Sequence, residues 1–328
     1  MQKDVSVNLP AARRPTAILQ REVPQIVLEH GSAGTWAWEE YFGGRIRNPH
    51  TRKTYLHAVR RFLRWCEGHH VTLHEISPGL VGHYFDEHPG SIPTKKLHMS
   101  AIRGLFDVLV ERHVMILNPA LSVRTQRYSV SEGKTPEITV EQSRQLLRSI
   151  ELKAAIDFRD RAIISMLIYT AARVGAISRL RIGDFTEEGN HQLIIAFREK
   201  GGKDRRIPCR LSLREDLDAW LRLLPVKSIT KDMPVFRSIH GQTDLITDRP
   251  VSPIDICRMI KRRLKIANLP TSASPHSFRS CTATDLLLQG VSLEDVQYLL
   301  GHSDSRVTRL YDRRQRQITR NIVERISV

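Results

Sequence analysis

Two arginines, two histidines and a tyrosine lie in short motifs in the second half of the chain: Arg173, His276, Arg279, His302 and Tyr311. An arginine guanidinium is always charged, and its planar set of donors can hold two phosphate oxygens at once. A histidine can donate to an oxygen or accept a proton near neutral pH, and a tyrosine hydroxyl can carry a phosphoryl group covalently. In this order, these residue types indicate attack of a tyrosine hydroxyl on a DNA phosphodiester.

The expected steps assign one role to each side chain. Arg173 and Arg279 are expected to bind the non-bridging phosphate oxygens, where negative charge accumulates in the transition state. His276 precedes Arg279 by three residues, which places both on one helix face, and it is the candidate base for the Tyr311 proton. A base is needed because only about one tyrosine hydroxyl in a thousand is ionised at neutral pH. His302 is expected to donate to a non-bridging oxygen and to hold Tyr311 in place.

These motifs resemble those of the tyrosine recombinases, also called phage-type integrases, and the resemblance extends over most of the chain. The family's Thr-Gly-Leu-Arg-like turn, His-x-x-Arg box, Leu-Gly-His box and nucleophile motif are matched by Tyr169-Thr170-Ala171-Ala172-Arg173, by His276 with Arg279, by Leu300-Gly301-His302 and by Arg309-Leu310-Tyr311-Asp312. The resemblance implies that Tyr311 is the nucleophile, and that cleavage leaves a 3′-phosphotyrosyl link and a free 5′ hydroxyl.

The family also has a catalytic lysine on a β-hairpin, in a Gly-Lys-Gly-x-Lys-x-Arg-x-x-Pro-like run. The matching run extends from Glu199 to Pro208 and contains Lys200 and Lys203. The resemblance assigns Lys200 as the general acid that protonates the leaving 5′ oxygen. Lys203 remains the alternative acid and is also a candidate DNA contact.

Three positions depart from the family pattern. Ala171 replaces the turn glycine, Ala176 replaces an acidic residue three positions after Arg173, and Ser280 replaces a frequent histidine after Arg279. A left-handed conformation at Ala171 would cost more than at glycine, and another group would have to orient Arg173. Since no catalytic residue is lost, these departures bear on the rate and the geometry and leave the assignment unchanged.

The elements that must position these residues divide the chain into two domains. The expected fold class is mainly α with a small β-sheet: an all-helical N-terminal core-binding domain followed by an α+β catalytic domain. The predicted boundaries are a flexible N-terminal arm at residues 1–32, the helical DNA-binding domain at 33–120, a linker at 121–136 and the catalytic domain with a C-terminal tail helix at 137–328. An apolar stripe on the tail favours docking on a neighbouring copy.

Local patterns support this division. A capping-box pattern at Thr139–Gln142 predicts a helix start, and Arg159–Tyr169 is a predicted buried helix that delivers Arg173 into the next turn. His191–Phe197 and Arg205–Cys209 are the predicted strands of a hairpin. The chain after residue 252 is predicted to be mostly helical.

Two basic helices are predicted in the first domain. One begins at Pro49, and the other begins near Pro93 and ends near Arg112. Both combine an apolar face with basic residues, which favours contact with DNA phosphates. The candidate DNA-binding residues are Arg52, Lys53, Arg60, Lys95, Lys96 and Arg103.

The charge of the chain agrees with a nucleic-acid partner. The chain has 51 lysines and arginines against 35 aspartates and glutamates, a formal net charge of +16, which favours a polyanion through counterion release. The four cysteines form no Cys-x-x-Cys pair, and no signal peptide or long apolar segment is evident, which favours the cytoplasm and no membrane partner. A cluster of His69, His70 and His74 lacks ligand spacing. Since arginines supply the charge, no metal or cofactor is expected.

The predicted function is site-specific recombination: cleavage, exchange and rejoining of double-stranded DNA at recombination sites, with integration, excision or resolution as the outcome. The active form is expected to be a homo-oligomer on DNA, namely a tetramer. Two alternatives remain open, a type IB topoisomerase-like activity that relaxes supercoils and a catalytically weak DNA-binding regulator. The helical first domain argues against the topoisomerase, and six intact catalytic positions argue against the regulator, although Ala176 keeps it open.

Overall fold

The computed structural model describes residues 23–127, 136–198, 204–225, 230–240, 243–302 and 305–311. The chain divides into two compact units, Met1–Ser129 and Val130–Val328. The described part of the first unit is helical, and that of the second combines helices with two small antiparallel sheets. The predicted fold class, mainly α with a small β-sheet, is therefore confirmed. Among the helices in these ranges, none combines the length and the apolar composition needed to cross a membrane.

The described residues of the first unit form five α-helices: α1 Gln25–Leu28, α2 Gly31–Glu39, α3 Pro49–Gly68, α4 Pro78–Glu87 and α5 Ile92–Glu111. The predicted helices at Pro49 and Pro93 correspond to α3 and α5. At the start of α3, the Asn48 side chain accepts from the backbone N–H groups of His50 and Thr51 at 3.0 and 3.2 Å, which satisfies donors that a helix start leaves open. The apolar faces of α3 and α5 pack against each other and bury Phe62 and Phe106.

The chain just before α2 is more ordered than the sequence suggested. Residues 23–32 fall in the predicted flexible arm, yet Ile26 and Val27 are only 3% and 0% exposed. The Ile26 N–H donates to Glu67 Oε1 on α3 at 3.0 Å. A four-residue helix is too short to show periodicity, so its packing could not be seen in the sequence. The arm prediction therefore extends too far along the chain, and residues 1–22 lie outside the described ranges.

The second unit contains these described elements, in chain order: α6 Val140–Arg148, α7 Ala155–Thr170, α8 Val174–Ser178, β1 Phe185–Glu188, β2 Gln192–Arg198, β3 Asp204–Pro208, α9 Leu211–Leu221, β4 Arg237–Ile239, β5 Ile246–Pro250, α10 Pro253–Ile266, α11 Pro275–Leu288, α12 Leu293–Leu300 and α13 Ser305–Arg309. Strands β1, β2 and β3 form one antiparallel sheet in that order, and β4 pairs with β5. The predicted capping box is confirmed, because Thr139 Oγ1 accepts from Gln142 N at 3.1 Å and Gln142 Oε1 accepts from Thr139 N at 2.9 Å.

Helix α7 lies at the centre of the second unit. It packs against α6, α8, α9, α10 and α11, and its residues Ile163, Ile164, Met166 and Leu167 are fully buried. A helix with apolar residues on all sides is expected to be enclosed by its neighbours. The end of α7, from which the chain turns towards Arg173, is therefore held in a fixed position.

Candidate active site

The turn after α7 presents Arg173. Helix α7 ends at Thr170, and Ala171 adopts a left-handed conformation with φ of 48° and no exposed surface. The Thr170 hydroxyl donates to the carbonyl of Met166 at 2.6 Å and accepts from the Ala172 N–H at 3.3 Å. For residues other than glycine the left-handed conformation costs roughly 1–2 kcal/mol, so contacts around the turn must stabilise it.

Two buried arginines donate to consecutive carbonyl groups of this turn. Arg279 Nη1 donates to the Ala171 carbonyl at 2.6 Å, and Arg205 Nη1 donates to the Thr170 carbonyl at 3.1 Å. Arg279 Nη2 also donates to the carbonyl of Leu300, the last residue of α12. The side chains of Arg279 and Arg205 are 2% and 4% exposed. Arg279 thus links two segments of the chain. One is the turn that presents Arg173, and the other is the end of α12.

The candidate base and nucleophile lie next to each other. His276 and Arg279 are both in the first two turns of α11, which begins with Pro275 at a position where a missing N–H costs nothing. The Tyr311 hydroxyl lies 3.4 Å from His276 Nε2. Tyr311 is 8% exposed, whereas the His276 side chain is exposed. The predicted proton transfer from Tyr311 to His276 is therefore geometrically possible.

His302 packs against Tyr311 after a left-handed glycine. Helix α12 ends at Gly301, which has φ of 63° and redirects the chain so that His302 follows outside the helix. The His302 and Tyr311 rings are stacked, with centroids 6.1 Å apart and an interplanar angle of 16°. His302 Nδ1 lies 2.9 Å from the hydroxyl of Thr308, a fully buried residue on α13. The Thr308 carbonyl accepts from the Tyr311 N–H at 3.0 Å, so Thr308 supports both residues.

Both histidines are held in the neutral form. Burial lowers the pKa of His302 to about 4, with further contributions from Arg279 and Arg173. The pKa of His276 is also below its ordinary value, first because its ring is partly desolvated and then because of the charges of Arg279 and Arg173. When the Thr308 hydroxyl donates to His302 Nδ1, the ring proton lies on Nε2 and is available to a phosphate oxygen. Neutral His276 is correspondingly able to accept a proton.

The arginines form one positively charged cluster. Burial, together with the nearby charges of Arg173 and Arg205, lowers the pKa of Arg279 to about 9, while Tyr311 opposes the shift. Burial and the charge of Arg173 likewise lower the pKa of Arg205 to about 10. Like charges held together in a partly desolvated site favour a bound anion. A phosphate group of DNA has the required charge and shape.

The structure brings together five of the six predicted catalytic residues: Arg173, His276, Arg279, His302 and Tyr311. Lys200 and Lys203 lie outside the described residues, as does the tail after Tyr311. Arg205 and Thr308 were not singled out in the sequence. The run from Glu199 to Pro208 contains Arg205, but only its burial and its contact with Thr170 reveal its place in the site.

Some of the predicted DNA-binding residues have partners within the first unit. Three of the six direct their cationic groups at backbone carbonyls: Arg52 at Ile46, Lys95 at Phe85 and Arg103 at Ala120 and Val123. These contacts satisfy carbonyl groups at helix ends and in the segment after α5, which a reading of local sequence could not detect. Lys53 is exposed, and Arg60 and Lys96 are half-buried.

Comparisons with known proteins agree with this arrangement. Residues 136–317, which contain every predicted catalytic position, match the model of the phage integrase family. The tyrosine recombinase XerD of Staphylococcus haemolyticus (strain JCSC1435) is 31% identical over 219 residues, covering 65% of this chain and 69% of that protein. The XerH site-specific recombinase bound to palindromic difH substrate in a post-cleavage complex has a TM-score of 0.68 at 22% identity, covering 90% of this chain and 84% of that chain. A lambda integrase tetramer bound to a Holliday junction has a TM-score of 0.63 at 17% identity, covering 85% and 77%.

Proposed function

This chain belongs to the phage integrase family, and we propose that it is a site-specific recombinase that cleaves and rejoins double-stranded DNA through a covalent link to Tyr311. The observation that carries this proposal is the 3.4 Å separation between the Tyr311 hydroxyl and His276 Nε2, beside the buried guanidinium of Arg279. The residues proposed as nucleophile, base and anion-binding group therefore lie close together, which supports the proposal.

The reaction follows from these positions. Neutral His276 accepts the Tyr311 proton as the tyrosine oxygen bonds to phosphorus and the bond from phosphorus to the 5′ oxygen breaks. Arg173, Arg279 and the Nε2 proton of His302 stabilise the negative charge on the non-bridging oxygens. The leaving 5′ oxygen takes a proton from Lys200. Because one ester bond replaces another, a 5′ hydroxyl from a second strand can attack the phosphotyrosyl link and rejoin DNA without an external energy source.

The proposal extends to the partners of the chain. The printed descriptions of XerH and lambda integrase name a DNA substrate and a tetramer on a Holliday junction, and the net charge of +16 supports a polyanionic partner here. We therefore infer that four copies act on two recombination sites, with the exposed Lys53 and the half-buried Lys96 as candidate DNA contacts of the first unit. A DNA substrate and cysteines without disulfides support action in the cytoplasm.

The nucleophile assignment is tested by trapping the covalent intermediate. A DNA substrate nicked near the cleavage point loses its short fragment after attack, so wild-type protein should accumulate as a denaturant-resistant adduct. Tyr311→Phe should bind this DNA with unchanged affinity and form no adduct. Tyr298→Phe is the matched control, because Tyr298 is an exposed tyrosine of the same unit and has no proposed role in the reaction. Adduct formation by Tyr311→Phe, or its loss in Tyr298→Phe alone, would reject the assignment.

A plasmid assay separates recombination from general relaxation. A supercoiled plasmid without a recombination site should stay supercoiled in the presence of wild-type protein, whereas a type IB topoisomerase would relax it. Rapid relaxation of such a plasmid would favour the topoisomerase-like activity.

The general acid is tested by changing the leaving group. Sulfur in place of the bridging 5′ oxygen gives a leaving group that needs no proton. Lys200→Ala should cleave the normal substrate at least about tenfold more slowly and recover most of its rate on the sulfur substrate. Lys203→Ala should cleave both the normal and the sulfur substrate only slightly more slowly than the wild-type protein. If recovery on sulfur occurs for Lys203→Ala instead, Lys203 is the acid.

A further inference from the structure

The turn that presents Arg173 receives its support from a neighbouring strand. Ala176, on the first turn of α8, is 6% exposed and offers no polar side-chain group to Arg173. The carbonyl of Thr170 instead accepts a buried hydrogen bond from Arg205 Nη1 at 3.1 Å. Arg205 lies on β3, 35 residues further along the chain. A charged side chain of the sheet therefore contacts the turn.

Packing within the sheet fixes the position of Arg205. In the register of β2 and β3, Arg205 pairs with Phe197, and the guanidinium lies 5.0 Å from the centre of the Phe197 ring. A planar guanidinium can stack on an aromatic ring while its edge donates hydrogen bonds. The Arg205 guanidinium thus stacks on the Phe197 ring of strand β2 and at the same time donates a hydrogen bond to the turn.

Arg205 also belongs to the positive cluster without reaching its surface. Its side chain is 4% exposed, whereas that of Arg173 is exposed. The charges of Arg173 and Arg205 each affect the protonation of Arg279. Arg205 directs its Nη1 group at the Thr170 carbonyl, so we expect its effect on the reaction to pass through the turn.

We propose that Arg205 is a positioning residue: it holds the Thr170–Ala172 turn so that Arg173 is directed at the phosphate being cleaved. This inference rests on the proposed role of Arg173 in the reaction. It gives strand β3 a task in the site besides its pairing with β2.

The adjacent residue provides a matched control. Successive strand residues point to opposite faces of a sheet, and Arg206 is exposed and forms an ion pair with Glu188 on β1. Replacement of either arginine removes one positive charge from the same strand. Only replacement of Arg205 removes the hydrogen bond to the turn.

The test combines single and double variants in the covalent-adduct assay under single-turnover conditions. Arg205→Gln should slow adduct formation on the order of ten- to a hundredfold, as loss of one anion-stabilising group does, while DNA affinity stays within about twofold of wild type. Arg205→Lys should recover only part of the rate, because lysine keeps the positive charge but lacks the planar guanidinium that stacks on Phe197. Arg206→Gln should cleave at close to the wild-type rate. A wild-type rate for Arg205→Gln or for Arg205→Lys would overturn the proposal.

A double-variant cycle distinguishes positioning from a general structural effect. If Arg205 acts through Arg173, Arg205→Gln should slow the Arg173→Lys protein by less than about threefold, since coupled residues are not additive. Full multiplication of the two defects would show that Arg205 acts independently and would also overturn the proposal. If Arg205→Gln does not fold, Arg205→Lys completes the same cycle. Failure of the proposed function itself would appear differently, as absence of an adduct with wild-type protein.

Discussion

Arg279 has a structural task in the folded chain besides the chemical task proposed for it. Its Nη1 and Nη2 groups donate to the carbonyls of Ala171 and Leu300, which belong to the two segments that deliver Arg173 and His302. Arg173, in contrast, has an exposed side chain. Two residues of the same type and the same proposed chemical role should therefore respond differently to substitution.

Alanine at these two positions should separate catalysis from stability. Arg173→Ala and Arg279→Ala should each slow cleavage by on the order of a hundredfold, as loss of an oxyanion donor does. Arg279→Ala should also lower the free energy of unfolding by about 2 kcal/mol, because it leaves two carbonyls without their charged donor. Arg173→Ala should leave stability within about 0.5 kcal/mol, as for an exposed site. Equal losses of stability in chemical denaturation would contradict the structural role of Arg279.

The protonation of His276 gives the reaction a defined pH dependence. The proposed base must be neutral, and its pKa lies below 6.5 because of burial and the charges of Arg279 and Arg173. The fall of kcat/KM on acidification should therefore have its midpoint below the ordinary histidine value of 6.5, since kcat/KM reports the free enzyme. His276→Gln should be slow and lack this fall. A midpoint above 6.5 in the wild-type profile would contradict the assignment.

The sequence motifs identified the residues of the candidate site but not the residues that hold them in position. The three-residue spacing of His276 and Arg279 places them on one helix face, and this needs no tertiary information. The roles of Arg205 and Thr308 depend on contacts with Thr170 and His302, which only the folded chain creates. Hydrogen bonds to backbone carbonyls leave no pattern in a sequence, because every residue has a carbonyl.

At the level of elements, helix α5 carries an unusual buried group. His98 is 4% exposed, and its Nδ1 lies 3.2 Å from the hydroxyl of Tyr84 on α4. Burial lowers the pKa of His98 to about 4, and His88, Arg61 and His57 add to the shift. The folded first unit therefore contains a neutral imidazole that resists protonation.

This histidine should make the first unit less stable in mild acid. Between pH 6.5 and about 4 the unfolded chain binds a proton at His98 that the folded chain does not. The free energy of unfolding should accordingly fall with decreasing pH, by at most about 1.4 kcal/mol per pH unit from this group. In chemical denaturation, the free energy of unfolding of His98→Asn should differ less between pH 7 and pH 5 than that of the wild-type protein. His50→Asn, at an exposed position on α3, is the control and should keep the wild-type pH dependence of the free energy of unfolding. If His98→Asn also keeps the wild-type pH dependence, the explanation is rejected.

The elements that the sequence predicted are those with a long pattern or a capping signal. Helices α3 and α5 each have 20 residues, which is long enough for apolar periodicity to be visible. Helix α4 was not predicted, because Gly79 and Gly82 interrupt its pattern and lower its helix propensity. Strand β1 was also missed, since three of its four residues are exposed and no alternation appears.

For the whole molecule, the large positive charge should govern the affinity for DNA. If about six to ten phosphates are neutralised, the logarithm of the affinity should fall against the logarithm of salt concentration with a slope steeper than about −5. Lys53→Ala should reduce the slope by about 1 if Lys53 contacts a phosphate. Lys95→Ala should leave it unchanged, because Lys95 donates to the Phe85 carbonyl. A wild-type slope near −1 would mean that the charge of +16 is mostly solvated surface.

The hydrogen bonds of Arg279 connect parts of the chain that are synthesised at different times. Arg279 is 108 residues from Ala171 and 21 residues from Leu300. Such long-range contacts form late, because the intervening chain must first be ordered. A nascent chain that has not reached α12, or a fragment cut within the second unit, therefore has no assembled site around its arginines. We therefore expect the ability to break DNA to require α12 in addition to the segments that carry Arg173 and Arg279.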